Sequence, residues 1–119
     1  MFQKGSFSAP SDTSGVFLTK VIQTRRCSWR KHAKTGKFLR IVIKKTKPRL
    51  IRRRKKRMRA LTIRSSHKFL RNDGMSFKFC TNALVILRKR MNILGREVLG
   101  PSSKEVKIKK FIRSVIYIY

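Results

Sequence analysis

The chain has 119 residues, of which 33 are lysine or arginine and only 4 are acidic, so its formal net charge is +29. Such a molecule repels itself, and we expect a partner dense in negative charge, for which nucleic acid and an anionic membrane surface are the two candidates. Because 40% of the residues are hydrophobic, the composition excludes a basic disordered tail, and the lack of any apolar run near ~20 residues excludes a membrane-spanning helix.

Three strands are predicted in the first half of the chain. VFLTKVI, residues 16–22, is rich in β-branched and aromatic residues and follows a cluster of turn formers. FLRIVIKK, residues 38–45, alternates so that Leu39, Ile41 and Ile43 share one aliphatic face. MRALTIR, residues 58–64, is the third strand, and Pro48 ends the second because it cannot donate to a ladder. Residues 23–36 are predicted to form an exposed loop or hairpin tip.

The second half predicts a hairpin, a buried strand and an ambiguous tail. Asn72-Asp73-Gly74 tolerates positive φ and favours a hairpin within residues 65–79. NALVIL, residues 82–87, is predicted to be a central strand, and residues 94–101 a loop. The tail fits a helix capped by Ser102 or Ser103, or equally a β-branched strand. Short strands separated by turns favour a small β-barrel or sandwich.

Cations are concentrated in four patches that lie in separate predicted loops, which fits a partner that wraps around the protein, as large folded RNA does. In the first patch, Trp29 either stacks on an unpaired base or packs against its own chain. In the second, the six consecutive cations at 52–57 predict an extended loop along phosphates, because a helix would stack like charges. The residues predicted to bind RNA are Arg25, Arg26, Trp29, Arg30, Lys31, Lys34, Lys44, Lys45, Lys47, Arg49, Arg52, Arg53, Arg54, Lys55, Lys56, Arg57, Arg59, Lys68, Arg71, Arg88, Lys89 and Arg90.

The chain is not expected to be an enzyme or to hold a cofactor or a metal. Its four carboxylates, spread from Asp12 to Glu105, form no pair within one predicted element, and no glycine-rich phosphate loop is present. The two cysteines and two histidines lack the paired spacing of zinc ligands. Cys80 is predicted to be a half-buried thiol in a strand, and Cys27 to lie in a basic loop.

Four stretches of the chain carry, in order, a resemblance to one family. SDTSG at 11–15 resembles a turn Ala-Asp-Asn-Ser-Gly, and GKFLRIVIKKTKPR at 36–49 resembles Gly-Asp-x-Ile-x-Val-x-Ile-Lys ending in Pro-Arg. RNDGMSFKFCTNALVIL at 71–87 resembles Arg-Pro-Asp-Gly followed by Phe and Asn-Ala-x-Val-Leu. LGREVLGPSSKEV at 94–106 resembles Ile-Gly-Thr-Arg-Ile-x-Gly-Pro-Val-x-Arg-Glu-Leu. Together, from Met1 to about Tyr119, the chain is similar to the universal large-subunit ribosomal protein fourteen family.

The resemblance implies a mainly β fold in one domain, residues 1–119. It implies a small five-stranded β-barrel over about 1–90 and a C-terminal loop region with short helices over about 91–119. The implied function is that of a structural constituent of the large ribosomal subunit, which binds large-subunit rRNA at the subunit interface and helps form a bridge to small-subunit rRNA. The implied protein partners are ribosomal proteins nineteen and three and the ribosome silencing factor, the last at the edge that carries Arg96 and Glu97. No membrane partner is expected.

The departures from the family pattern replace acids by cations or neutral residues. Lys37 and Lys56 stand where the family has aspartates, and Arg96 and Glu97 reverse a charge at the partner edge. This drift, without an added presequence, is typical of an organelle-encoded protein and favours a mitochondrion over a plastid or the bacterial cytoplasm. The alternative function is a free-standing RNA chaperone or nucleoid-binding protein. A membrane-surface protein is disfavoured by the strand-like alternation at 38–44.

Overall fold

The structure is a computed structural model that describes residues 2–24, 32–53, 56–88, 90–106 and 115–118. Within these ranges the chain is mainly β, which confirms that part of the predicted fold class. The elements are β1 (Phe2–Gln3), β2 (Phe7–Ser8), β3 (Val16–Thr24), β4 (His32–Ala33), β5 (Phe38–Thr46), a 3-10 helix (Pro48–Arg53), β6 (Arg57–Arg64), β7 (Phe69–Leu70), β8 (Ser76–Phe77), β9 (Ala83–Leu87), β10 (Val98–Ser102) and β11 (Val115–Ile118).

The main sheet has five antiparallel strands in the order β2-β3-β5-β6-β9. The three strands predicted in the first half of the chain are all present in it and are confirmed as β3, β5 and β6. Leu39, Ile41 and Ile43 are completely buried, as their period-2 spacing predicts. The intervening even-numbered positions of β5 therefore point to the opposite face of the sheet.

Strand β9 lies at the end of the sheet order, so the prediction that it is central is wrong. All five of its residues are nevertheless buried, because loops cover its free edge. The Ser11 N–H donates to the Leu84 carbonyl at 2.9 Å, and the Leu94 N–H donates to the Ile86 carbonyl at 2.8 Å. The uninterrupted apolar sequence of β9 thus indicates that both faces of the strand are buried. Such burial does not require a central position in the sheet.

A closed barrel is not found among the strand pairings of the described residues. The two ends of the sheet are joined by one isolated bridge, between Pro10, just after β2, and Leu84 in β9. A single bridge brings the edges together without a continuous ladder. The five strands are therefore established, and their closure into a barrel stays a prediction.

The core lies on both faces of the main sheet. Leu84 and Ile86 pack with Leu39, Ile41 and Ile43 in one cluster. The alternate residues Val85 and Leu87 pack with Leu61 and Ile63 on the other face, where Val98 and Val106 complete the cluster. The region after residue 90 therefore supplies part of the apolar cover of β6 and β9.

The predicted hairpin is confirmed as the two-stranded sheet β7–β8, in which Phe69 pairs with Phe77. Its turn is closed by the Arg71 N–H, which donates to the Met75 carbonyl at 2.9 Å. Gly74 adopts φ of 78°, a left-handed conformation that glycine adopts without steric penalty.

The predicted loop at 94–101 is wrong in its second half, where β10 pairs in parallel with β11. The sequence does not predict this strand because it contains Gly100 and Pro101, and both residues normally interrupt strands. Among the described residues β10 forms a ladder with β11 alone, apart from one isolated bridge between Val98 and Asp12, and its register shifts between Val98 and Pro101. This is the edge and bulge context in which such residues are tolerated. Residues 115–118 of the tail are a strand, and the described C-terminal residues, 91–106 and 115–118, contain none of the predicted short helices.

The cationic run at 52–57 differs from the predicted extended loop. Arg52 and Arg53 end the 3-10 helix that begins at Pro48, and Arg57 begins β6. The proline ring fixes a φ that suits a first helical turn. The helix is short and kinked at Leu50, so it does not align the long stack of like charges that disfavours a regular helix. Arg54 and Lys55 lie outside the described residues.

Candidate nucleic-acid interface

Arg40 of β5 and Arg59 of β6 are directly opposite each other in the main sheet. The neighbours of Arg40 in the chain, Leu39 and Ile41, are completely buried, so the alternation of the strand directs Arg40 outward. Both arginines are exposed. Two like charges in directly opposed positions destabilise a pair of strands, and an anion bound between them would remove that repulsion.

An open groove of about 560 Å³ surrounds this arginine pair. Arg57 lies two residues before Arg59 on the same strand face, and Arg88 follows β9 on the neighbouring side. Met58 and Leu87 also line the groove, but Met58 packs on the core cluster of the opposite face and Leu87 is buried. The groove is therefore formed mainly by four arginine side chains.

None of the described residues that line the groove is acidic. The Arg59 Nη1 donates to the sulfur of Met91 at 3.7 Å, a weak contact that leaves the cation uncompensated. The field of the groove is thus strongly positive, and the chemistry it supports is the binding of phosphate or another polyanion.

Two of the four acidic residues, Glu105 and Asp12, are used elsewhere in the fold. Glu105 accepts a hydrogen bond from Arg71 Nε at 2.7 Å. Burial by itself raises the pKa of Glu105, but hydrogen bonds, first that from Arg71, hold the pKa of this carboxyl below its usual value. The guanidinium of Arg71 also lies 4.7 Å from the centre of the Phe77 ring. Arg71, which the sequence predicts to bind RNA, therefore has a structural role that fixes the hairpin.

Asp12 is buried at the turn between β2 and β3. Its carboxylate accepts hydrogen bonds from the Ser14 hydroxyl and from the Ile86 N–H. Burial raises the pKa of Asp12 above its usual value, against the opposing effect of these hydrogen bonds. Asp12 thus stabilises the fold and is not available to neutralise the cationic surface.

Most of the described cations predicted to bind RNA are exposed. Of these, Arg57, Arg59 and Arg88 are brought together in the groove. The other exposed ones are Lys44, Lys45, Lys47, Arg49, Lys56, Lys68 and Arg90, and Lys34 is half-buried. Outside the described residues lie Arg25, Arg26, Trp29, Arg30, Lys31, Arg54, Lys55 and Lys89, together with the side chains of Arg52 and Arg53.

Arg40 is not among the residues that the sequence predicts to bind RNA. In the sequence, Arg40 is a lone cation on the mixed face of an otherwise apolar strand. Such a residue is normally interpreted as a solvated position. Only the strand register shows that it faces Arg59. Arg64 is a second such residue, but its role is structural: Nη1 donates to the carbonyls of Leu99 and Pro101 at 2.9 and 3.2 Å, and burial lowers the pKa of Arg64.

The edge that carries Arg96 and Glu97 is held by the turn at Thr13. The N–H groups of Arg96 and Glu97 both donate to Thr13 Oγ1, at 3.0 and 3.3 Å. Both side chains are exposed. The edge therefore presents one positive and one negative side chain on a backbone that is fixed by hydrogen bonds.

The remaining candidate groups form no site. Among the described residues, no group of three or more potential metal ligands is assembled, and the rings of His32 and His67 lie edge to face with their centres 6.4 Å apart. Cys80 is exposed and lies outside the strands, so the prediction of a half-buried strand thiol is wrong, while Cys27 lies outside the described residues. In the part of the chain that the structure describes, no helix is long and apolar enough to cross a membrane.

Comparison with known proteins gives a match over nearly the whole chain. A family model described as ribosomal protein L14p/L23e matches residues 1–117. The large ribosomal subunit protein uL14m of Tetrahymena pyriformis is 29% identical over 114 residues, which cover 96% of this chain and 96% of that protein.

Proposed function

The chain belongs to the ribosomal protein L14p/L23e family, and from this premise we propose that it binds large-subunit rRNA through the cationic face of its main sheet. The resemblance to ribosomal protein fourteen is thereby confirmed. The chain is a structural constituent of the large ribosomal subunit and not an enzyme.

The observation that carries the rRNA-binding proposal is the opposed pair Arg40 and Arg59. A sheet that places two arginines across from each other, with Arg57 and Arg88 in the same groove, is destabilised as a free surface. RNA phosphates would convert that repulsion into attraction, because arginine donates paired hydrogen bonds to phosphate oxygens. The exposed lysines and arginines from Lys44 to Arg49 would extend the same contact beyond the sheet.

The proposed location is the mitochondrial ribosome. It is supported by the similarity to uL14m of Tetrahymena pyriformis, whose suffix marks a mitochondrial protein, over 96% of both chains. The surplus of cations, +29 over 119 residues, fits a protein whose permanent surroundings are RNA.

The proposed position is the subunit interface, where the protein would help form a bridge to small-subunit rRNA. The edge of Arg96 and Glu97 is proposed as the protein-partner surface, beside ribosomal proteins nineteen and three and the ribosome silencing factor. Its support is geometric: both side chains are exposed on a backbone fixed by Thr13. We further propose that the five strands close into the barrel of the family, with the bridge between Pro10 and Leu84 as the point of closure.

Sucrose-gradient sedimentation of a mitochondrial lysate tests this function. The chain should sediment with large subunits in a fixed ratio and should stay with them after a high-salt wash that removes loosely bound basic proteins. A free-standing RNA chaperone or nucleoid protein would instead leave the subunit fractions in the wash. That second outcome would contradict the proposed function.

A further inference from the structure

Phe7 of β2 begins a row of four residues that lie opposite one another across the main sheet. It pairs with Lys20 of β3, Lys20 pairs with Val42 of β5, and Val42 pairs with Arg57 of β6. Neighbouring strands lie about 4.8 Å apart, so this Phe7 row places a phenyl ring, an ammonium, an aliphatic side chain and a guanidinium within roughly 15 Å.

The Phe7 row lies on the outer face of the sheet. The residues on either side of Lys20 and of Val42 in the chain are all buried, so the alternation of the strands directs Lys20 and Val42 away from that core. Phe7 is 57% exposed, whereas Ser8 after it is buried. The row therefore shares the face of Arg40, which precedes Val42 by two positions on β5.

The ring of Phe7 is a large apolar surface that the fold leaves in contact with water, although burial of such a ring is favourable. The Lys20 ammonium lies 5.4 Å from the ring centre, a cation–π contact that still leaves more than half of the side chain exposed. The strands β2, β3, β5 and β6 contain no acidic residue. The complementary ligand therefore carries both a flat apolar face and negative charge.

We propose that Phe7 stacks on one unpaired base of RNA, while Lys20 and Arg57 hold phosphates of the same strand. This inference rests on the proposed function, since it takes rRNA to be the source of the base. Proteins that bind single-stranded nucleic acid combine aromatic side chains, on which bases stack, with cations that follow the backbone. A base within a duplex is stacked between its neighbours, whereas a base in a loop or bulge is free to reach an aromatic side chain.

The Phe7 row differs in selectivity from the groove of four arginines. Phosphates are present in every RNA, so the arginines do not distinguish a duplex from a single strand. Stacking on Phe7 requires an exposed base, and it tolerates any base because each has a π-face. The row thus selects unpaired RNA without selecting its sequence.

Binding of the full chain to three anions tests the proposal, at a salt concentration where circular dichroism shows its β-sheet. The anions are a short oligouridylate, an RNA duplex of the same length and inorganic polyphosphate, which has no bases. Phe7→Leu removes the flat ring and keeps the charge. We expect it to lower the affinity for oligouridylate by about fivefold or more. The affinities for the duplex and for polyphosphate should not change, and Phe7→Tyr should retain the parent affinities.

Two further variants serve as controls. Tyr117→Leu removes an aromatic ring of similar exposure, 59%, that lies outside the main sheet, and it should leave all three affinities unchanged. Lys20→Gln should weaken the binding of all three anions and lower the salt slope by up to about one unit, as expected for a phosphate contact. Phe7→Leu should keep the salt slope of the parent, because it removes no charge.

Three results would overturn the base-stacking site. One is an equal affinity of Phe7→Leu and the parent for oligouridylate. Another is an equal loss for oligouridylate and polyphosphate, which would show that the ring supports the cations and contacts no base. The third is an acidic peptide that displaces oligouridylate from the parent better than polyphosphate does, and does not do so from Phe7→Leu, since the row would then be a protein contact.

The failure of this inference is distinguishable from a failure of the proposed function. If Phe7→Leu changes nothing while the parent chain still binds rRNA with a steep salt dependence, only the base-stacking site is disproved. If rRNA binding by the parent is weak and independent of salt, the proposed function itself is wrong.

Discussion

The carboxylate of Asp12 accepts a hydrogen bond from the backbone N–H of Ile86 at 3.2 Å, across 74 residues of sequence. This bond joins the turn between β2 and β3 to the end strand of the sheet. The same turn holds the partner edge, because Thr13 accepts from the N–H groups of Arg96 and Glu97. The motif SDTSG, which carries part of the family resemblance, is therefore a structural junction that brings three distant segments together.

Replacing Asp12 with Ala should destabilise the fold by about 1–3 kcal/mol, since it leaves the buried Ile86 N–H without its acceptor. Asp73→Ala, which removes the same charge from an exposed turn, is the matched control and should change stability less. Chemical denaturation of both variants measures the difference. Equal losses for the two variants would show that the bond to Ile86 contributes nothing.

The dependence of stability on pH should have opposite signs at Asp12 and Glu105. Burial raises the folded-state pKa of Asp12 above the usual 3.8, so its contribution is fully present below 3.8 and is lost as the pH rises through the folded-state value. The pKa of Glu105 is lowered below the usual 4.5, although burial opposes the shift, because of hydrogen bonds led by that from Arg71. Its contribution is present above 4.5 and is lost as the pH falls through the lowered value.

Unfolding free energies measured between acid and neutral pH test the two predicted pH dependences. The stability of the parent relative to Asp12→Asn should fall as the pH rises from 3.8. The stability of the parent relative to Glu105→Gln should fall as the pH drops below 4.5. Parallel pH profiles for the parent and both variants would contradict these assignments.

Gly100→Ala should be more damaging than Gly74→Ala. Both glycines have positive φ, 80° and 78°, so both variants suffer the same conformational penalty of about 1–2 kcal/mol. A methyl group on Gly74 meets open space, whereas one on Gly100 would collide with the Arg64 guanidinium. Thermal unfolding of the two variants therefore isolates the packing of Arg64 against β10, and equal midpoints would show that Arg64 moves aside freely.

The strands of the main sheet follow from the sequence because period-2 alternation is a local signal. The spacing of Leu39, Ile41 and Ile43 shows that they share one face, without any tertiary information. The hairpin turn at Gly74 is equally local. The position of β9 in the sheet is not a local feature. An apolar strand has the same sequence pattern whether strands or loops cover it. Strand β10 is concealed by Gly100 and Pro101, whose tolerance depends on an edge position that only the folded chain reveals.

The sequence predicts that the candidate interface is rich in cations. It does not predict that four arginines meet in one groove. Arg57, Arg59 and Arg88 stand out because they lie in cationic runs. Arg40 does not, since its importance comes from the register that sets it opposite Arg59. Strand register depends on contacts between distant segments, and the sequence predicts no pairing partner for an isolated cation.

Arg40→Gln should stabilise the free chain and weaken its complex with RNA. Removal of one of two opposed like charges should raise the unfolding free energy by about 0.2–1 kcal/mol. The same change should lower the affinity for large-subunit rRNA, with a salt slope smaller by up to about one unit. Denaturation and filter binding on one preparation measure both effects. A variant that loses affinity and stability together would indicate a structural role for Arg40 instead.

The most direct test is the salt dependence of the affinity between the full chain and large-subunit rRNA. The account predicts a log–log slope steeper than about 2, because several phosphates are neutralised at once. Combined replacement of Arg40, Arg57 and Arg59 by Gln should lower that slope by up to about three units. The matched triple variant of Lys4, Lys78 and Lys104, all exposed outside the groove, should change it less. A slope below about 2 for the parent chain, or identical slopes for the two triple variants, would contradict the assignment of rRNA binding to this face.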